Sequence, residues 1–169
     1  MSWVSVTPEK IFRLPDDCGE TILDAIKNAK YSVDIAIYEL GGPQIMGALE
    51  TAKKNGVNIR IMFNGQFFHG DEPSCYKYDQ QYAVKTQLTE AAGSGNVWFH
   101  WSCNNFNITH QKTIIIDAQK DGKLISASEL PDSARAIVMT NNLNSYGWEN
   151  SYVRNPQRPL QFWGDGYPY

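Results

Sequence analysis

His110 and Lys112 stand two residues apart, ahead of an unbroken Ile114-Ile115-Ile116 run that closes at Asp117. In an extended strand, residues i and i+2 project from the same face. The spacing therefore sets an imidazole, a nucleophile or proton carrier near neutral pH, beside a fixed positive charge. Asp117 ends the strand where the chain turns. The apolar run Ala136-Ile137-Val138-Met139 leads into the polar stretch Thr140-Asn141-Asn142-Leu143-Asn144. His69 and His100 have no lysine two residues on and read as surface or packing side chains.

These groups need a scaffold, and the apolar pattern supplies one. Val33, Ile35 and Ile37 alternate with Asp34, Ala36 and Tyr38, and Val57, Ile59, Ile61 and Phe63 repeat the strand period. Between them Ile45, Ala48, Leu49 and Ala52 share one helical stripe, opened by Pro43 and stopped at Asn55-Gly56. Ile22, Leu23, Ala25, Ile26 and Ala29 predict an earlier helix over residues 19–30. Tyr82, Val84, Leu88 and Ala91-Ala92 mark a third, ending at Gly93-Ser94-Gly95, and Val97, Phe99 and Trp101 a further strand. Helices alternating with strands make the fold class α/β, a mixed sheet flanked by helices. The β-branched run 114–116 reads as a strand buried on both faces, and 136–139 as another short buried strand. Asn64–Asp79 and Ala118–Ser133 read as loops and residues 1–18 as an extended entry, while Ser145–Tyr169 has no assignable period. Glu39, just past the first strand, is placed to line a site at that strand's carboxyl end.

The length of 169 residues fits one domain over residues 1–169, and 42% hydrophobic with 20% charged residues is ordinary for a soluble globular chain. A net charge of −3 and a pI near 5.6 argue against a protein that grips duplex nucleic acid through clustered cations. Only Lys53-Lys54 are adjacent, and Arg154 and Arg158 form a loose pair. Cys18, Cys75 and Cys103 are odd in number and lack metal-ligand spacing, so they read as free thiols of a reducing compartment. With no signal-peptide layout at the start and no apolar run of membrane-spanning length, a cytoplasmic location without a transmembrane segment is expected.

The residues His110, Lys112 and Asp117 resemble the His-x-Lys-x4-Asp signature of the phospholipase D superfamily. Thr140 and Asn142 resemble its second element, in a Thr-x-Asn-Leu form in place of the commoner Gly-Ser-x-Asn. The stretches 32–40 and 48–60 are also similar to the family, so the likeness covers roughly residues 15–150. It implies a phospholipase D-like fold and a phosphodiesterase that works through a phosphohistidine, with no metal and no cofactor. His110 would attack phosphorus, Lys112 and Asn142 would hold the non-bridging oxygens, and Thr140 would add a hydroxyl donor. Asp117 would fix local geometry and the histidine's protonation state. The family often carries an acidic residue about ten positions after the Asn; here Glu149 is offset and Tyr152 stands nearer that place. The mechanism uses two histidines, and this chain carries one motif. The second is expected from a homodimer partner or from a missing second half of a longer enzyme. The implied partner is a phosphodiester substrate, phospholipid or nucleic acid. The alternatives are an endonuclease acting as a homodimer and a catalytically idle module that binds phosphodiesters.

Overall fold

Alternation of β-branched and polar residues produces the two central strands. A computed structural model describes residue 10 and residues 19–64, 68–69, 72–73, 75–102 and 109–143. In chain order the elements are α1 (Glu20–Lys27), β1 (Ser32–Ile37), α2 (Pro43–Lys54), β2 (Asn58–Phe63), β3 (Phe68–His69), β4 (Glu72–Pro73) and α3 (Cys75–Glu90). There follow β5 (Val97–Trp101), β6 (Lys112–Ile116), β7 (Gln119–Lys120), β8 (Lys123–Leu124) and β9 (Arg135–Val138). The main sheet has five strands in the order β5-β2-β1-β6-β9. β1 pairs parallel with β2, and β2 with β5, whereas β6 runs antiparallel to both β1 and β9. This is the mixed α/β sheet that the periodicity predicts.

One face of the sheet carries the core. Val33, Ile35, Ile37, Ile59, Ile61, Phe63, Ile114, Ile116 and Ile137 are all buried there, in one cluster with Ile22 and Ile26 of α1, Ile45 and Leu49 of α2, and Val84 and Leu88 of α3. The opposite face is open among the described residues. It forms a shallow hollow of about 320 Å³, lined by Asp34, Arg60, Trp98, His100, Thr113 and Ile115 among others. Two expectations change for this reason. Ile115 is 39% exposed and Val138 80% exposed, so neither β6 nor β9 is buried on both faces. A β-branched run specifies a strand, but what lies against its second face is a tertiary matter. On the open face Arg60 pairs with Asp34, and the hydrogen bond to that carboxylate raises the guanidinium above its ordinary value. The Arg60 side chain is 43% exposed, which leaves the pair worth no more than about 1 kcal/mol. A cation whose folded value is raised loses its contribution only as pH climbs through that value, far above working pH.

Other boundaries also shift. The first helix ends at Lys27, where the Asn28 side chain turns back onto the Asp24 carbonyl. The third begins at Cys75, well inside the expected loop, because neither glycine nor proline interrupts residues 75–90 and Pro73 lies just ahead of them. The expected loop 118–133 contains the β7–β8 hairpin, turned by Asp121 and Gly122, both at positive φ. That Asp-Gly pair is a type I′ signature that polar composition alone conceals. Residues 1–9, 11–18, Cys103, Glu149, Tyr152, Arg154 and Arg158 lie outside the described residues. Among the described residues no helix is long and apolar enough to cross a membrane.

A buried lysine joins α2 to α3. Lys53 is 7% exposed, and its Nζ donates to the carbonyls of Leu88, Thr89 and Ala91 at 2.7, 2.9 and 2.7 Å. These carbonyls lie at and just past the α3 C-terminus, where helices leave acceptors unpaired and favour a cation. The chain then passes so close to α2 and the start of β2 that a Cβ on Gly95 would stand 2.1 Å from the Val57 carbonyl oxygen. Replacement Lys53→Met should therefore lower stability by roughly 2–4 kcal/mol, since one buried and two partly buried carbonyls lose a charged donor. Urea unfolding measures it, and an unchanged midpoint would remove the lysine from the stabilising set.

Candidate active site

Register decides which side chains meet at the end of the sheet. β1 and β6 pair with Val33 opposite Ile116 and Ile37 opposite Lys112. Extending the same pairing past β1 brings the Tyr38–Glu39 segment alongside His110. There the exposed imidazole meets the buried Tyr38 ring edge-on, with centroids 5.1 Å apart and planes at 66°. Lys112 is only 4% exposed; its Nζ donates to the His110 carbonyl at 3.1 Å and stands 5.7 Å from the centre of the Tyr38 ring. That separation permits a cation–π attraction, stronger where the ammonium is desolvated. Tyr38 is the site residue that the apolar pattern missed, having been read as the polar half of a strand alternation. Its signal is position: a large aromatic immediately past a central parallel strand.

The polar stretch that begins at Thr140 comes back to the same place. After β9 the Met139 N–H donates to the Lys112 carbonyl at 3.0 Å, extending the ladder. Leu143 then bridges to Leu40 in parallel sense, and the Gly41 N–H donates to the Leu143 carbonyl at 2.7 Å. Between these contacts the half-buried Asn142 side chain accepts the Glu39 N–H through Oδ1 at 3.2 Å. With the oxygen so engaged, Nδ2 is the end of the amide that can donate. Thr140 is exposed on this return segment, and Glu39 is half-buried at the carboxyl end of β1. His100 stays apart: it is exposed on β5, separated from β6 by β2 and β1. Among the described residues no cluster of three or more His, Cys, Asp or Glu is placed to hold a metal ion.

Asp117 lies elsewhere. It is fully buried at the far end of β6, in a left-handed conformation with φ 55°. Its Oδ1 accepts the N–H groups of Lys30, Tyr31 and Ser32 at 2.9, 2.7 and 3.1 Å. Its Oδ2 accepts the Lys30 N–H at 3.0 Å and the Ser133 hydroxyl at 2.5 Å. The length of β6, roughly 17 Å at about 3.3 Å per residue, separates this carboxylate from His110. The expectation that Asp117 sets the histidine's protonation state is therefore corrected. It acts on local geometry, by binding the backbone that starts β1.

Residues 22–155 match the family described as "Cardiolipin synthase, PLD-like domain". The chain belongs to the phospholipase D superfamily. Among solved structures it is similar to Nuc from Salmonella typhimurium, a phospholipase D family member, at 23% identity and a TM-score of 0.42, covering 69% of this chain and 70% of that one. NucT from Helicobacter pylori is similar at 21% identity and a TM-score of 0.41, over 72% of this chain and 76% of that one. Polyphosphate kinase from Porphyromonas gingivalis is similar at 15% identity and a TM-score of 0.48, over 77% of this chain and 19% of that one. No curated protein matches the chain.

The Asp117 geometry makes a graded prediction about stability. Asp117→Ala strands buried N–H groups and places alanine at positive φ, for a loss of roughly 3–5 kcal/mol. Asp117→Asn keeps an acceptor oxygen and tolerates the left-handed conformation, so about 1–2 kcal/mol is expected. Chemical unfolding of the two variants should rank them in that order, and equal losses would contradict the hydrogen-bonding account.

Proposed function

We propose that the protein is a metal-independent phosphodiesterase with His110 as its nucleophile. The observation that carries this reading is that the exposed His110 imidazole and the buried Lys112 ammonium both lie against the Tyr38 ring, at the strand end to which Asn142 returns. An imidazole nitrogen of His110 attacks phosphorus, the P–N bond forming as the P–O bond to the leaving group breaks. A second histidine hands its proton to the departing oxygen. Water then attacks the phosphohistidine and returns a proton to that second histidine, and the P–N bond breaks to restore His110.

Charge builds on the non-bridging oxygens during both displacements. The Lys112 ammonium and the Asn142 Nδ2 are assigned to those oxygens, with the Thr140 hydroxyl as a further donor. Glu39 lines the substrate side of the site. Asp117 supports the strand from its far end. The second histidine comes from a second copy of this chain, each copy contributing His110 across a two-fold axis. His100 is a poor candidate, since about 14 Å of sheet, three strand spacings, lies between β5 and β6. The substrate chemistry is a phosphodiester, which phospholipids and nucleic acids share.

Turnover of bis(p-nitrophenyl) phosphate in the presence of chelator tests the chemistry. His110→Ala should lose on the order of 10⁴-fold or more, and Lys112→Met about 10²–10³-fold. Background-level rates for both wild type and His110→Ala would leave an idle phosphodiester-binding module as the better description, and equal rates above background would remove His110 as the nucleophile. Labelled single-stranded DNA, RNA and phosphatidyl lipids, assayed in parallel, decide the substrate class. Pairing predicts that the rate per chain falls on dilution as the dimer dissociates, with sedimentation reporting the same transition. A strict monomer with full turnover is the contrary result.

A further inference from the structure

Asn64 is the first residue past β2 and is 1% exposed. Its N–H donates to the Ile37 carbonyl at 3.2 Å, so it stands beside the end of β1 where Tyr38 follows. Its Oδ1 accepts the Thr109 N–H at 2.6 Å, across 45 residues of sequence. Thr109 immediately precedes His110, and β6 starts only at Lys112. The imidazole thus hangs from a lead-in segment that lies ahead of the strand pairing. Side chains grip the backbone on both sides of it: Asn64 holds the Thr109 N–H, and Lys112 holds the His110 carbonyl. The Thr109 hydroxyl adds a bond to Ser102 Oγ at 3.0 Å, and the Ser102 N–H donates to the Phe63 carbonyl at 2.8 Å.

The orientation of the Asn64 amide follows from chemistry. Turning it over would face its NH2 group toward the Thr109 N–H, donor against donor. With Oδ1 on Thr109, Nδ2 is a buried donor with no acceptor among the described residues. A buried unpaired donor is unfavourable, and leucine would fill a similar volume without one. What leucine cannot do is accept the Thr109 N–H.

We propose that Asn64 is a positioning residue for His110, acting through the Thr109 backbone. The inference rests on reading His110 as the nucleophile. In-line attack needs nitrogen and phosphorus about 3–3.5 Å apart and aligned, and a displacement of about 1 Å costs on the order of 10²-fold in rate. The Asn64–Thr109 bond fixes where the nucleophile's backbone lies, so losing it lowers kcat and leaves substrate binding nearly intact.

Asn64→Leu should lower kcat about 10- to 100-fold with KM within about two-fold of wild type. Asn64→Asp keeps the acceptor and should recover kcat to within a few-fold. Asn64→Ala, which adds no bulk, replaces the leucine variant if that one does not fold. Independently of turnover, the Thr109 amide proton should exchange with solvent at least about ten-fold faster in the leucine or alanine variant than in wild type. A folded Asn64→Leu with wild-type kcat, an Asn64→Asp as slow as Asn64→Leu, or unchanged Thr109 exchange overturns the proposal. His110→Ala in the same assay separates the two readings. If it turns over normally, the nucleophile assignment fails; if it is inactive while Asn64→Leu is fully active, only the positioning inference fails.

Discussion

The Asp117 carboxylate is the contact on which the arrangement of the sheet depends. By accepting the N–H groups of Lys30, Tyr31 and Ser32, it locks the end of β6 to the start of β1. The Asp117 N–H donates back to the Ser32 carbonyl at 2.8 Å, so both ends of the contact are specified. A strand has a side-chain period of two, and a slip by one residue would turn every side chain of β6 to the other face. The clamp at one end therefore determines that Ile114 and Ile116 meet the helices. At the other end it determines that Lys112 opposes Ile37 and that His110 lies against Tyr38.

Three of the buried polar side chains share one kind of task. Lys53 serves carbonyls near the end of α3, Asp117 serves amides ahead of β1, and Asn64 serves the amide before His110. Each binds main chain from a distant part of the sequence, where regular pairing has stopped and the backbone still needs partners. Strands and helices satisfy their own interiors; their ends do not. The site forms among such ends, and its geometry depends on side chains that secondary structure does not replace.

The two faces of the sheet differ in what they contribute. The helical face supplies the apolar core and fixes the strands in space. The open face keeps an ion pair, Asp34 with Arg60, among half-exposed side chains. Lys112 starts β6 opposite Ile37, whose neighbours belong to the core, so its ammonium is buried at the rim of the helical face. Burial beside the Tyr38 ring limits where that charge can lie, and a charge of limited freedom stabilises a developing oxyanion better than a mobile one.

Much of this was legible in the residues. The two-residue spacing of His110 and Lys112, the strand alternation around Ile35 and Ile61 and the stripe of α2 are local patterns, and local patterns determine strand, helix and family. The sequence by itself also placed Thr140 and Asn142 together, because they are neighbours in the chain. Other features were decided only in three dimensions. Ile115 and Ile116 are the same residue type, and among the described residues the helices cover only the face of the second, which is buried while the first is exposed. The resemblance offered Asp117 as a histidine's partner, but an extended strand converts five residues into roughly 17 Å. Tyr38 and Asn64 carried no motif, since their importance comes from standing past the ends of adjacent parallel strands. Which residues touch is set by register and burial, and those arise from pairing between segments that the linear order keeps far apart.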